Sequence, residues 1–240
     1  LIRLIQTYGL MPHDSYNTDA NFNAATRKVH AAIRSDAMTM QGLKKAKAEA
    51  GRILDNNIGP LPYHVYMYRM EYTPLEFAHS VCMPDEYQAF TSFTHLPMNK
   101  ESVLCMPDNY NGYRFMNIGI DQMMGMIEKS VRHGHPVCWE GDTSEEGFSF
   151  TYGIADVDED MRNATQQQRQ QEFEKFRTTD DHCMAIVGIA HDEKGRKFFI
   201  CKNSWGTANP YGGFMYVSAD YIRLKTIAIM ANVYAISPQA

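Results

Sequence analysis

The sequence predicts an α+β protein, helical first and rich in strands afterwards, on three observations. Segments of helix-favouring composition, with apolar residues at helical spacing, run as far as Gly59. Short runs rich in Val, Ile, Phe and Tyr, bounded by turn residues, dominate from residue 115 onward. The two kinds of segment do not alternate, as a βαβ protein would require. We therefore expect a mostly helical part over residues 1–114 and a β-rich part over residues 115–240.

Each element follows from local signals. The opening LIRLIQTYGL has apolar residues at helical spacing and stops at Gly9, with Pro12 beyond it. DSYNTDANFN is rich in Asp, Asn and Ser and reads as a loop. Residues 24–57 favour helix, and Gly59, Pro60 and Pro62 end the run. In TPLEFAHSV, Thr73 is an N-cap and Pro74 fits the first turn. YRFMNIGI is a strand. Asp121 is expected to cap the helix over residues 121–134, which Gly134 stops. PVCWEGD is a strand, and residues 159–180 read as a polar, exposed helix covering little core. MAIVGIAH and RKFFICKN flank DEKG and form a hairpin. GGFMYVS and IAIMANVYAI are the last strands, the final one reaching Ile236.

Composition excludes several classes. The chain carries 23 Lys and Arg against 28 Asp and Glu, a net charge of −5, so no basic surface for nucleic acid is expected. KKAKAEAGR, at residues 44–52, reads as a solvated helix face. No apolar run reaches the roughly 18 residues a membrane span needs. The chain opens without an initiator Met, as if inside a helix, so an upstream segment is expected. The five cysteines, Cys82, Cys105, Cys138, Cys183 and Cys201, are odd in number and irregular in spacing, which argues against a disulfide framework. No metal or other cofactor is expected, since neither His133 with His135 nor His79 with Cys82 completes four ligands.

The hairpin carries the chemistry. With residues 192–195 as its loop, His191 faces Arg196, and the same register puts His182 opposite Trp205 with Asn203 on the diagonal. Cross-strand neighbours stand about 5 Å apart at Cβ, so imidazole and carboxamide can meet. A thiol nucleophile needs that pair: the imidazole accepts the thiol proton, and the Asn oxygen holds the other ring N–H and fixes the tautomer. A neighbouring Trp shields that hydrogen bond from water.

DHCMAIVGIA followed by FFICKNSWGTANPYGGFMYVS resembles the second half of papain-like cysteine peptidases, with KNSWG as the most specific run. LIQTYGLMP, ILDNNIGPLPYHVYMYRMEYTPLEFAHSV and HPVCWEGD are similar to segments of the bleomycin hydrolase and aminopeptidase C branch. The resemblance implies a papain-like fold, incomplete at its N-terminus, with a branch-specific insertion in the first part. It implies a cysteine-type aminopeptidase acting on peptides, His182 as general base and Asn203 orienting it. Trp205 and Asp181 are implied as supporting residues, and Trp139, Glu140, Gly141 and Asp142 as the substrate wall. It also implies ring-shaped homo-oligomers, and favours a cytoplasmic location while leaving a secreted or periplasmic one open.

The chain departs from the family in one respect. The Q-…-G-x-CW segment that supplies the nucleophile and the oxyanion-hole Gln does not occur in it. All five cysteines are read as structural, and Cys183, next to the base, is expected to point to the opposite face of its strand. The nucleophile is therefore expected from an upstream segment or chain, and the 240 residues alone are expected to be inactive. The alternatives are an inactive papain-like binding protein, a general papain-like endopeptidase, and a metal-assisted hydrolase built on His133, His135 and Glu140.

Overall fold

The structure is a computed structural model and describes residues 1–16, 20–33 and 39–236. It falls into two units, Leu1–Pro84 and Asp85–Ala240. The division expected at residue 114 thus lies inside the second unit, because residues 85–114 contribute strands to the large sheet.

The first unit holds α1 (Ile2–Tyr8), α2 (Phe22–Ile33), α3 (Met40–Ile58), the short strands β1 (Val65–Met67) and β2 (Met70–Tyr72), and α4 (Pro74–Val81). The expected helix over residues 24–57 is two helices, and residues 34–38 between them lie outside the described residues. Residues 17–19 of the expected loop do so too. Gly59 ends α3 at φ 87°. Gly9 ends α1 at φ 81°, where a Cβ would stand 2.2 Å from the Pro74 carbonyl oxygen. Only glycine permits that approach of α1 to α4. Thr73 caps α4 in a reciprocal box: its hydroxyl accepts the Glu76 N–H at 3.2 Å, and Glu76 accepts the Thr73 N–H at 2.8 Å.

The second unit is built on one ten-stranded sheet. Its strands are β3 (Tyr87–Thr91), β4 (Lys100–Val103), β5 (Arg114–Asn117), β6 (Val137–Gly141), β7 (Phe148–Ser149), β8 (Ile154–Ala155), β9 (His182–His191), β10 (Lys197–Lys202), β11 (Phe214–Ser218) and β12 (Thr226–Asn232). Their order is β4-β5-β3-β12-β6-β9-β10-β11-β8-β7, antiparallel except for β3 with β5 and β11 with β8. Helices α5 (Ile120–Arg132), α6 (Gln166–Glu174), α7 (Ala219–Lys225) and α8 (Val233–Ile236) complete it. The last strand ends at Asn232, short of the expected Ile236, because Asn232 Oδ1 caps the α8 turn at the Tyr234 and Ala235 N–H groups.

Helix α5 buries Ile120, Met123 and Ile127, spaced three and four apart, in a core with Trp139, Met184 and Phe199. Gly119, not Asp121, is its N-cap. Asp121 lies in the first turn and pairs with Arg223 at 2.7 Å. The hairpin register also differs in detail. His191 faces Lys197, one residue beyond the expected Arg196, and the Asp192 N–H closes the loop onto the Arg196 carbonyl at 3.0 Å. A bulge that leaves Val187 unpaired then restores the expected alignment, with Cys201 opposite Ile186 and Lys202 opposite Ala185.

Helix α6 overturns the exposed reading. It spans nine residues only, and Arg169, Gln170 and Glu172 are buried. The Arg169 guanidinium donates to the carbonyls of Ser92, Arg223, Leu224 and Thr226. Desolvation pushes its pKa down, to about 9, so the group stays charged at neutral pH. Gln166 accepts the Ile120 N–H at 2.8 Å and Gln170 accepts the Thr94 N–H at 2.7 Å. A polar helix is buried here because its side chains satisfy backbone groups, a role hydropathy does not register. Arg169→Met should lower stability by about 3 kcal/mol, since it strands those carbonyls. Urea unfolding at constant m-value checks this, and an unchanged midpoint contradicts it.

Candidate active site

His182 opens β9 and pairs across β6 with Gly141. A Cβ at Gly141 would stand 2.4 Å from both the Lys225 carbonyl oxygen and the Trp139 ring, so that strand position admits no side chain. Asn203 follows β10 directly, and its N–H donates to the Gly213 carbonyl at 3.0 Å. The loop between them is knotted on Asn209, whose Oδ1 accepts the Gly213 N–H at 2.7 Å and whose Nδ2 donates to the Phe214 carbonyl at 2.7 Å.

Across this scaffold His182 Nε2 meets Asn203 Oδ1 at 2.9 Å. The same oxygen accepts the Ser204 N–H at 2.7 Å, which fixes the orientation of the carboxamide. An oxygen can only accept, so Nε2 carries the hydrogen and Nδ1 is left with a free lone pair. Asn203 is 3% exposed, whereas His182 is half-buried. The Trp205 ring lies 4.5 Å from the imidazole, centroid to centroid, at an interplanar angle of 30°. Phe148 and Phe150 meet the indole edge-on at 5.8 and 5.6 Å. Sequence reading did not single out either phenylalanine, although their alternation in FSF is a strand-face signal.

The other expected site residues separate. Asp181 is exposed and directs its carboxylate at Thr143, accepting from its N–H at 2.8 Å and its hydroxyl at 3.0 Å. It thereby ties the chain before β9 to the loop after β6. Trp139, expected on the substrate wall, is fully enclosed and donates its Nε1–H to Thr226 Oγ1 at 2.7 Å. Asp142 is 1% exposed and accepts from the N–H groups of Ser144 and Thr179, at 2.8 and 3.1 Å. Glu140 faces Cys183 on the side of the sheet opposite His182, and burial pushes its carboxyl up, reinforced by Asp180 and Asp108. Alternation along β6 explains the outcome: Trp139 and Gly141 take one face and Glu140 the other, while Asp142 lies beyond the end of the strand. Only Gly141 adjoins His182 on its own face.

The cysteines are dispersed. Cys183 and Cys138 lie on the face away from His182, as alternation predicted for Cys183. Cys201 is enclosed and burial pushes its thiol up. Cys105 is exposed beyond β4, and Cys82 follows α4 in the other unit. His133, from the metal-assisted alternative, hydrogen-bonds through Nδ1 to the Ala235 carbonyl at 3.0 Å. Among the described residues, no three His, Cys, Asp or Glu side chains are grouped to hold a metal ion. No helix among them is long and apolar enough to cross a membrane.

The model of the Peptidase C1-like family matches residues 63–234. The chain belongs to that family. As a papain-like peptidase chain, it shares its α+β fold with pepW from Lactobacillus rhamnosis, at a TM-score of 0.69 and 18% identity. The match covers 98% of this chain and 61% of pepW, so the chain spans about three-fifths of that relative's length. The ragweed pollen allergen Amb a 11, a cysteine protease solved in its proform, gives a TM-score of 0.32 at 22% identity, over 48% of this chain and 31% of its own. Bromelain from Ananas comosus gives 0.29 at 16%, over 47% and 45%. Scores that low carry no structural argument. No curated protein sequence matches.

The geometry predicts a single tautomer for the neutral His182 imidazole. Nitrogen-15 NMR should find hydrogen on Nε2, with slowed exchange that Asn203→Ala abolishes. A tautomer-averaged, fast-exchanging His182 would contradict the arrangement.

Proposed function

We propose that this chain supplies the acid–base apparatus of a cysteine peptidase, with His182 as the general base and Asn203 as its orienting partner. The observation that carries the reading is the 2.9 Å bond from Nε2–H to the buried Asn203 Oδ1, which leaves Nδ1 as the proton acceptor. In this reading Nδ1 takes the proton of a thiol, giving a thiolate–imidazolium pair. The thiolate attacks the scissile carbonyl, and the imidazolium returns the proton to the leaving amine. Water, deprotonated by the same imidazole, then releases the acyl group. Trp205 lies against the imidazole, 4.5 Å between ring centroids, while Asp181 fixes the approach to β9 through Thr143.

The thiol and the oxyanion donor come from residues outside these 240. The placement of the cysteines in the second unit favours this: Cys138 and Cys183 face away from His182, and Cys201 is enclosed. The resemblance of the sequence to the bleomycin hydrolase and aminopeptidase C branch favours an aminopeptidase. In that branch the C-terminal arm obstructs the cleft and binds the substrate's amino group, but residues 237–240 lie outside the described ones. Asp142 is enclosed and Glu140 faces the other side of the sheet, so neither is retained as an anchor for that amine.

Fluorogenic aminoacyl and peptidyl substrates test the proposal. The 240-residue chain should be silent, and joining the upstream segment should produce turnover that a thiol-directed inhibitor stops. Peptides with free N-termini should be cut faster than their acetylated counterparts. Turnover by the chain alone that survives chelator and yields to a thiol-directed inhibitor would place the nucleophile among its own cysteines. Equal rates on free and acetylated peptides would remove the exopeptidase reading and leave an endopeptidase.

A further inference from the structure

Asn203 is held at two points. The Ser204 N–H aligns its side-chain oxygen, and its own backbone N–H donates to the Gly213 carbonyl at 3.0 Å. Asn203 and Gly213 both lie just beyond the last ladder pair of β10 and β11, Lys202 with Phe214. The loop between them, and not the ladder, therefore fixes where they sit.

That loop closes on one buried carboxamide. Asn209 Oδ1 accepts the Gly213 N–H at 2.7 Å and the Tyr211 N–H at 3.2 Å, and its Nδ2 donates to the Phe214 carbonyl at 2.7 Å. Its backbone carbonyl accepts the Gly212 N–H at 3.3 Å. Gly213 is also pressed against the residue after Trp205, since a Cβ there would stand 2.4 Å from the Gly206 carbonyl oxygen. From outside, the turn joining β7 to β8 packs on the same segment. A Cβ on Gly153 would stand 2.4 Å from the Tyr211 ring and 3.2 Å from Asn209 Nδ2. The same turn brings Phe150 to the Trp205 edge.

We propose that Asn209 is a positioning residue for the acid–base pair, acting through Gly213 on both Asn203 and Trp205. Gly213 is the shared element: its carbonyl holds the Asn203 backbone, and its Cα lies against the carbonyl beside Trp205. Without the Asn209 carboxamide, the Gly213 N–H and the Phe214 carbonyl lose their partner and the neck of the loop opens. Asn203 then keeps its side chain but loses its alignment with His182 Nε2, now at 2.9 Å. The contacts call for an amide, with an oxygen for two N–H groups and an NH2 for a carbonyl. An aspartate there keeps the two acceptor contacts and loses the donor. Misplacing a catalytic group by about 1 Å costs roughly a hundredfold in rate, so a residue that touches neither substrate nor imidazole still bears on turnover. The kinetic consequence rests on the reading of His182 as general base, whereas the effect on the His182–Asn203 bond stands without it.

Two measurements test the proposal. In the 240-residue chain, Asn209→Ala should speed exchange of the His182 Nε2 hydrogen about tenfold, the order that one lost hydrogen bond corresponds to. Asn209→Asp should speed it less, and Asn232→Ala should leave it unchanged. Asn232 is a buried asparagine that caps α8, at the other end of β12 from the Thr226 that pairs with Gly141. It therefore reports a general loss of stability. In the protein joined to its upstream segment, Asn209→Ala should lower kcat about tenfold with KM unchanged. Added to Asn203→Ala, it should lower kcat no further, because the side chain it aligns is already gone. Unchanged exchange in a folded Asn209→Ala chain, equal effects of Asn209→Ala and Asn232→Ala, or losses that add in the double variant would overturn the proposal. Asn209→Asp carries the same comparisons if the alanine variant does not fold. Parental turnover by His182→Ala would instead sink the acid–base reading, and the exchange measurement would still decide whether Asn209 aligns Asn203.

Discussion

Asn203 offers one oxygen to two donors, the Nε2–H of His182 and the backbone N–H of Ser204, and the candidate site is organised around that convergence. The second donor is local and rigid, so the carboxamide cannot turn over without losing it. The first therefore finds an acceptor already aimed. Asn203 is buried, so an oxygen that lost both donors would be left unsatisfied, at a cost of about 1–3 kcal/mol. Nδ1 is thus left free by a constraint on the far side of the ring.

That convergence is held in place by polar groups placed deep in the second unit. Arg169 on α6 gathers the carbonyls of Leu224 and Thr226, where α7 gives way to β12. Thr226 receives the indole N–H of Trp139, and the Lys225 carbonyl receives the Asp142 N–H at 3.1 Å. Trp139 and Asp142 bracket Gly141, the partner of His182 across β6. A line of satisfied hydrogen bonds therefore runs from a polar helix to the strand beside the imidazole. Lys225, 4% exposed, adds an ion pair to Glu145 and a donor to the Arg177 carbonyl. Buried ions need partners to stabilise: Lys225 has carboxylates at Glu145 and Glu172, and Arg169 has four backbone carbonyls in place of a counter-ion.

The parts of this arrangement that sequence revealed are those written in short-range patterns. The hairpin was legible from its turn residues, and alternation alone placed Cys183 on the face away from His182. The hairpin register was one residue off at the loop, yet as expected at Cys201 and Lys202, the last paired residues of β10, because the bulge at Val187 absorbs the difference. No pattern in MAIVGIAH announces that bulge. Helix α6 was misread because its burial depends on carbonyls far along the chain, such as Ser92 and Thr226. The substrate wall failed for a local reason: a run read as one wall alternates between core and outer face. Trp205 was found through its motif, whereas Phe148 and Phe150, which meet its edges, arrive from a separate hairpin.

The central claim is that His182 moves the proton while Asn203 only aims it. Steady-state kcat/KM in the protein joined to its upstream segment measures this, for His182→Ala and Asn203→Ala against the parent. His182→Ala should lose at least about a hundredfold, the low end of what a general base contributes, and Asn203→Ala should lose less. A His182→Ala protein that turns over at the parental rate would contradict the assignment.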